Sequence, residues 1–258
     1  MTKIYYFEKI LIKNHDKNQS EYIDKSALYV KNQIQKHTKI NPFDFIPLSF
    51  TEPIFKELRF NIEEESAIML WGDGCFHQVS AFFGPNKPYI KVVFDAHDDI
   101  NFNYNNNEID CGNHNAWLLE NDPNVKEIMI LGTNALKNKR VEEINNKKAI
   151  LKNDLEAKYR GETLHISVDL DVVRRYPARD CWKDGTKTFN EVRKSIEELL
   201  ANNQVSRFDM GGLGERVVYE SVRASSFFKN KKYLTINDPG VNEYFQLLKM
   251  FLDYQKNH

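Results

Sequence analysis

The chain has 258 residues, and 36 Lys and Arg against 37 Asp and Glu give a formal charge of −1. That balance excludes the basic stripe of a general nucleic-acid binder. A content of 41% hydrophobic and 12% aromatic residues excludes an acidic disordered chain. Three cysteines (Cys75, Cys111 and Cys181) are odd in number and form no CxxC pair, so neither a disulfide framework nor a structural zinc site is expected, and a reducing cytoplasm is the expected compartment. Met1–Glu8 lacks the apolar stretch of a secretory signal. No apolar run approaches the roughly 18–20 residues that span a bilayer, so no membrane association is expected.

The elements read in chain order as short apolar runs alternating with longer amphipathic ones. Lys3–Phe7 reads as a strand, Glu21–Gln35 as a helix, and Ala67–Trp71 and Tyr89–Asp95 as strands. Polar, Asn-rich loops follow at Asn101–Asn107 and Asn113–Asn115. Then come a strand at Glu127–Gly132, a helix at Lys139–Arg160, a strand at Thr163–Asp169 and a helix at Phe189–Asn202 capped by Thr188. Val205–Met210 is the last strand, and Asp238-Pro239-Gly240 turns the chain into a helix over Val241–Gln255. The strands are rich in Ile, Val, Leu and Phe with little polar alternation, as strands buried on both faces are. The pattern predicts an α/β fold with a mostly parallel sheet covered by helices. With no linker, repeat or break in composition, residues 1–258 read as a single domain.

Three segments begin where a buried strand ends: Trp71-Gly72-Asp73-Gly74-Cys75-Phe76-His77, Phe94-Asp95-Ala96-His97-Asp98-Asp99 and Ser167-Val168-Asp169-Leu170-Asp171. The carboxyl ends of neighbouring parallel strands face one crevice, where open α/β sheets bind ligands. Side chains alternate along an extended run, so Asp95, His97 and Asp99 would share one direction, as would Asp169 and Asp171. A lone Asp after a strand is ordinarily a turn or cap residue, and a lone His such as His77 or His165 is ordinarily a hydrogen-bonded structural residue. A D-x-H-x-D after one strand and a D-x-D after another are hard to explain as unrelated caps. Four carboxylates cannot share a poorly solvated crevice without counter-charge. Two divalent metal ions would supply it, and mixed oxygen and imidazole donors suit manganese or a similar first-row ion.

Asp95-Ala96-His97-Asp98-Asp99 and Ser167-Val168-Asp169-Leu170-Asp171 resemble the D-A-H-x-D and S-x-D-x-D signatures of the ureohydrolase (arginase/agmatinase) family, and the likeness runs from about Ala67 to Glu215. The resemblance implies a three-layer α/β/α fold with a mostly parallel central sheet, of the arginase/deacetylase kind. It implies two Mn2+ ions, one held by His77, Asp95, Asp99 and Asp169, the other by His97, Asp95, Asp169 and Asp171. Asp95 and Asp169 would bridge, and Asp99 counts among the catalytic residues too. Two such ions share a water and lower its pKa towards neutrality. A delocalised guanidinium, being a poor electrophile, requires a strong nucleophile fixed in position. By the same resemblance His114, in Cys111-Gly112-Asn113-His114, is the proton shuttle, an imidazole being the natural group near neutral pH. A polar loop residue is the plain alternative for His114. Asn101, after Asp99-Ile100, corresponds to a substrate contact, and Glu215 to the carboxylate that pairs with the guanidinium.

The sequence also departs from the family. The usual G-G-D-H-S is replaced by Gly72–Gln78, whose one histidine is His77. Thr133–Arg140 has no carboxylate where arginases hold the substrate's α-amino group, and a D-P-x-x-x-P-A-T-G-T-P stretch is absent. Val172-Val173-Arg174-Arg175-Tyr176-Pro177 and Trp182-Lys183-Asp184-Gly185-Thr186 stand in its place, and Arg174, Arg175, Trp182 and Lys183 could line a peptide groove. An intact metal set without the grip on a free amino acid resembles the peptide arginases of ribosomal peptide natural-product pathways. These convert arginine to ornithine within a precursor peptide and release urea. Three other readings stay open at this point: an enzyme acting on free arginine, agmatine or a guanidino acid; a metal-dependent amide or acetyl-lysine hydrolase; and an inactive metal-stabilised binding protein. The partner expected is an arginine-containing peptide or a small guanidino compound, with homo-oligomers plausible from the family.

Overall fold

The computed structural model describes residues 3–13, 19–23, 31–32, 34–35, 45–51, 62, 65–71, 74–101, 109, 111–133, 141–144, 146–152, 155, 159–174, 185–212 and 239–257. Among the described residues ten strands are found: β1 (Lys3–Lys13), β2 (Gln19–Ile23), β3 (Phe45–Thr51), β4 (Ala67–Leu70), β5 (Tyr89–Phe94), β6 (Val125–Leu131), β7 (Val141–Ile144), β8 (Lys147–Lys152), β9 (Thr163–Asp169) and β10 (Gln204–Gly211). They form one sheet in the order β2-β1-β4-β10-β9-β5-β6-β8-β7, with β3 paired to β1. Every pairing is parallel except β1 with β2 and β7 with β8.

Two apolar cores lie on the two faces of this sheet, because the pleat sends alternate residues to opposite sides. Ile90, Val92 and Phe94 of β5, Leu164, Ile166 and Val168 of β9, and Phe208 and Met210 of β10 share one core with helices α2 (Phe189–Asn202) and α3 (Pro239–Asn257). Phe208 stacks on Phe251 at 4.7 Å, and Tyr244 donates to the Met210 carbonyl. The opposite core gathers Val93, Ile128, Ile130, Ala149 and Leu151 under helix α1 (His114–Asn121) and the 3-10 segment Gly74–Phe82. The architecture is three-layer α/β/α. Thr188 caps α2 in a full capping box with Glu191.

Two predicted helices are corrected. Lys139–Arg160 contains the antiparallel hairpin β7–β8, with Glu143 opposite Lys148 and Ala149 and Leu151 buried. Asn146 turns the chain at φ +62, a left-handed conformation that Asn tolerates and a helix interior does not. Of Glu21–Gln35, residues 21–23 are strand instead, residues 31–32 and 34–35 are helix as expected, and 24–30 and 33 lie outside the described residues. Here pairing with β1 overrides local propensity.

Candidate metal centre

β4, β10, β9 and β5 lie side by side in that order, each parallel to the next, so their carboxyl ends open on one edge of the sheet. The candidate residues stand on that edge, and beyond Asp95 and Asp169 the chain does not stay extended. After Asp169 the backbone enters a 3-10 turn, Leu170–Val172, and Asp169 caps it by accepting the Asp171 N–H at 3.0 Å. After Asp95 the chain bends, and His97 donates its N–H to Asp95 Oδ1 at 2.7 Å. Asp99 takes a left-handed φ of +50. Its carbonyl accepts the N–H groups of Asn115 and Ala116 at the start of α1, and the Asn115 amide donates to the Asp98 carbonyl at 3.1 Å. Turns rather than strand alternation converge the carboxylates.

The six predicted ligands come together. His77, Asp95, His97, Asp99, Asp169 and Asp171, with Cys111 and Gly112, line a cavity of about 120 Å³. His77 Nδ1 lies 2.8 Å from Asp95 Oδ2, 3.8 Å from Asp99 Oδ2 and 3.9 Å from Asp169 Oδ2. His97 Nδ1 lies 3.0 Å from Asp171 Oδ2 and 3.4 Å from Asp95 Oδ1. Two ligands at right angles about an ion roughly 2.1 Å away are themselves about 3 Å apart. Two donor groups have all their ligand atoms within 4.8 Å of one another: His77, Asp95 and Asp169, and Asp95, His97 and Asp171. Asp95 belongs to both, one oxygen towards each imidazole, while Asp169 joins only the first. A third group of the same compactness is His77, Asp99 and His114.

The electrostatics ask for cations. Burial alone would raise Asp95, but His77 and His97 hold its carboxyl well below the usual range. Burial and the Asp95 charge push Asp171 up to about 7 and raise Asp99 well above a normal carboxyl. The carboxylates of Asp171 and Asp95 beside its ring raise His97 to about 11. Protons are thus drawn to positions that a divalent ion would fill. His77 Nδ1 and Asp171 Oδ2 are buried without an aligned hydrogen bond. Unpaired buried donor and acceptor atoms at ligand spacing, in a mixed carboxylate–imidazole set, fit a divalent ion.

The remaining candidates separate. His114 is fully buried, does not line the cavity, packs its ring 4.4 Å from that of His77, and has Nδ1 3.1 Å from the Cys111 carbonyl. Burial first, with the nearby Lys91 charge adding to it, lowers its pKa well below 6.5, so it is neutral. A shuttle has to reach the leaving nitrogen, and this position lies in the wall behind the ligands. Asn101 is exposed directly beyond Asp99, with its N–H on the Gly112 carbonyl at 3.1 Å. Glu215, Arg175, Trp182 and Lys183 lie outside the described residues. At the end of β10, Gly212 has φ +85, and a Cβ there would meet the Leu170 nitrogen at 2.7 Å, so no side chain can stand at that point.

Beneath the candidate ligands lies a buried polar layer of Lys91, Ser167, His165 and Asp209, none with exposed surface; His165 is the hydrogen-bonded structural histidine expected from the sequence, and Lys91 and Asp209 were missed there. For Lys91 the signal was present, since it interrupts an otherwise apolar strand, whereas the strand of Asp209 also carries Gln204, Ser206 and Arg207.

No protein-family model matches the chain, and no curated protein matches it. Solved structures do. The agmatine ureohydrolase of Thermoplasma volcanium is 14% identical with a TM-score of 0.57, over 99% of this chain and 90% of that one. A hypothetical agmatinase from Burkholderia thailandensis is 11% identical at a TM-score of 0.57, over 99% and 87%. Formimidoylglutamase from Bacillus subtilis is 12% identical at a TM-score of 0.53, over 98% and 87%. The chain has the fold of these proteins along nearly its whole length.

Proposed function

We propose that this chain is a metal-dependent hydrolase of amidine C–N bonds, a ureohydrolase, holding two divalent ions, most simply Mn2+, at the carboxyl edge of its sheet. The observation that carries this reading is Asp95, whose two oxygens face His77 and His97 and so belong to two donor groups at once. His77, Asp95, Asp99 and Asp169 would hold the inner ion and His97, Asp95 and Asp171 the outer. Bound ions supply an activated water and charge stabilisation at neutral pH. The chain's own residues do the rest. Asn115 and Ala116 clamp the Asp99 carbonyl and aim its carboxylate at the cavity. His114, in contact with the Cys111 carbonyl and 3.5 Å from Asp99 Oδ2, supports that carboxylate from behind. In the net reaction water adds its oxygen to the guanidinium carbon, and the bond from that carbon to the side-chain nitrogen breaks. Both water protons end on that nitrogen, giving urea and an ammonium.

The substrate we infer is an arginine side chain within a peptide, converted to ornithine. Thr133–Arg140 offers no carboxylate for a free α-amino group. His97, 38% exposed, opens the outer side of the centre to a large ligand. A free guanidino compound is the second reading, favoured by Asn101, exposed next to Asp99. No helix among the described residues is long and apolar enough to cross a membrane, and three cysteines at scattered spacings suit a cytoplasmic enzyme. Urea release by the Mn2+-loaded protein, measured in parallel on free arginine, agmatine and an arginine-containing peptide, tests this. Urea from the peptide with ornithine in its mass spectrum is expected. Urea from free arginine or agmatine alone would overturn the peptide assignment, and none from any would overturn the activity.

A further inference from the structure

Behind His77 runs a chain of hydrogen bonds whose proton positions follow from donor and acceptor chemistry alone. It ends at Asp209 on β10, which has no exposed surface. Trp71 Nε1, which can only donate, lies 2.8 Å from Asp209 Oδ1. Ser167 Oγ lies 2.6 Å from the same oxygen, and His165 Nε2 meets Oδ2. Burial by itself would raise this carboxyl, but His165 and then Lys91 bring it below the usual range, so it is ionised. An ionised carboxylate only accepts, so the one Ser167 hydroxyl proton points at Asp209. Ser167 Oγ then offers a lone pair to His77 Nε2, 2.8 Å away, and the proton of that contact belongs to Nε2. A neutral imidazole protonated at Nε2 carries its lone pair at Nδ1. That is the nitrogen which faces Asp95, Asp99 and Asp169 without a hydrogen bond.

We propose that Asp209 is the positioning residue of the inner ion: through Ser167 it fixes His77 as the Nε2–H tautomer and delivers Nδ1 to the pocket as a bare donor. The same carboxylate holds the Trp71 indole, which stacks on the His77 ring at 4.5 Å and 16°, so one buried charge sets both the tautomer and the ring plane. The device suits this histidine's place in the chain. His77 stands on a 3-10 segment rather than at a strand end, where no sheet hydrogen bonds fix its direction. The inference rests on reading the cavity as a metal centre.

The test uses the full chain. Ser167→Ala removes the middle of the relay with minimal truncation, and Asp209→Asn removes the charge while keeping the shape. Each weakens Mn2+ binding at the His77 site by about 10- to 100-fold and leaves the His97 site unchanged. Calorimetric titration therefore resolves one tight and one weak step, with His97→Ala identifying the outer one. Ser167→Thr, which keeps the hydroxyl, restores the inner step, as a merely structural role would not require. In the Zn2+-loaded protein, long-range 1H–15N spectra show His77 with a proton on Nε2 and the ion on Nδ1. Unchanged affinity in both variants, or ligation through Nε2, overturns the relay and leaves the metal centre standing. A wild-type protein that binds no ion overturns both.

Discussion

At Asp95 the two halves of the site meet, and single substitutions there and at its neighbours have unequal consequences. Asp95→Ala removes a donor from both groups and is expected to abolish loading of either ion, whereas Asp171→Ala should lose the outer ion alone. Metal content per chain after gel filtration separates the two. Activity should fall at least a hundredfold in both, since losing about 3 kcal/mol of charge stabilisation has that effect. The protonation states predict a pH dependence as well. Without ions, His97 holds its proton up to about pH 11 and Asp171 up to about pH 7, and an ion has to displace both. Metal affinity therefore rises with pH through neutrality, with proton release that calorimetry in buffers of different ionisation enthalpy detects. An affinity flat between about pH 6 and 8 would contradict this protonation scheme. These candidate ligands were legible in the sequence because strand ends concentrate them. Asp209 and Ser167 were not, because their roles depend on which strands are neighbours, and the pairing of Ser167 with Asp209 across β9 and β10 is a fact of register.

At the scale of elements, local chemistry read correctly where it was self-contained. Thr188 and Glu191 close a capping box within one turn, and Thr188→Ala is expected to cost about 1 kcal/mol of stability, seen as a lower denaturation midpoint in urea. The β7–β8 hairpin was misread for the opposite reason. Its charged residues at Glu142, Glu143, Lys147 and Lys148 suit an exposed helix, and only pairing with β6 turns Ala149 and Leu151 into core. β5 carries a third lesson. Lys91 is enclosed, with Nζ on Ser80 Oγ at 2.7 Å, and burial lowers it to about 8 despite the nearby Asp209, Asp99 and Asp95. Below that pH the folded chain buries a charge that the unfolded chain solvates, at a cost of about 3 kcal/mol. The unfolded lysine binds its proton more tightly, so this penalty is relieved as pH rises from about 8 towards 10.5. Lys91→Met should accordingly be no less stable than the parent at neutral pH, and its advantage should shrink across that window in denaturant titrations. An advantage that grew with pH would contradict the assignment.

The whole molecule places its chemistry where a parallel sheet gathers it. β5 and β9 are adjacent at the centre, β10 and β4 follow, and their carboxyl ends deliver Asp95, Asp169, the Gly211-Gly212 turn and Trp71 to one crevice. The alternation of apolar runs sufficed to predict that crevice, because buried parallel strands need no partner to be recognised. Strand order, and with it the neighbours of each ligand, required the structure, since nothing local in β4 or β10 says that they lie side by side. With Asp95 shared between both donor groups, the proposed reaction is coupled to the loading of two ions. Mn2+ titrated into metal-free protein, with urea release from an arginine-containing peptide followed at each addition, reads that coupling directly. The expected result is little urea up to the first equivalent and a rise that saturates at the second. Full activity with one ion, or with none, would contradict it.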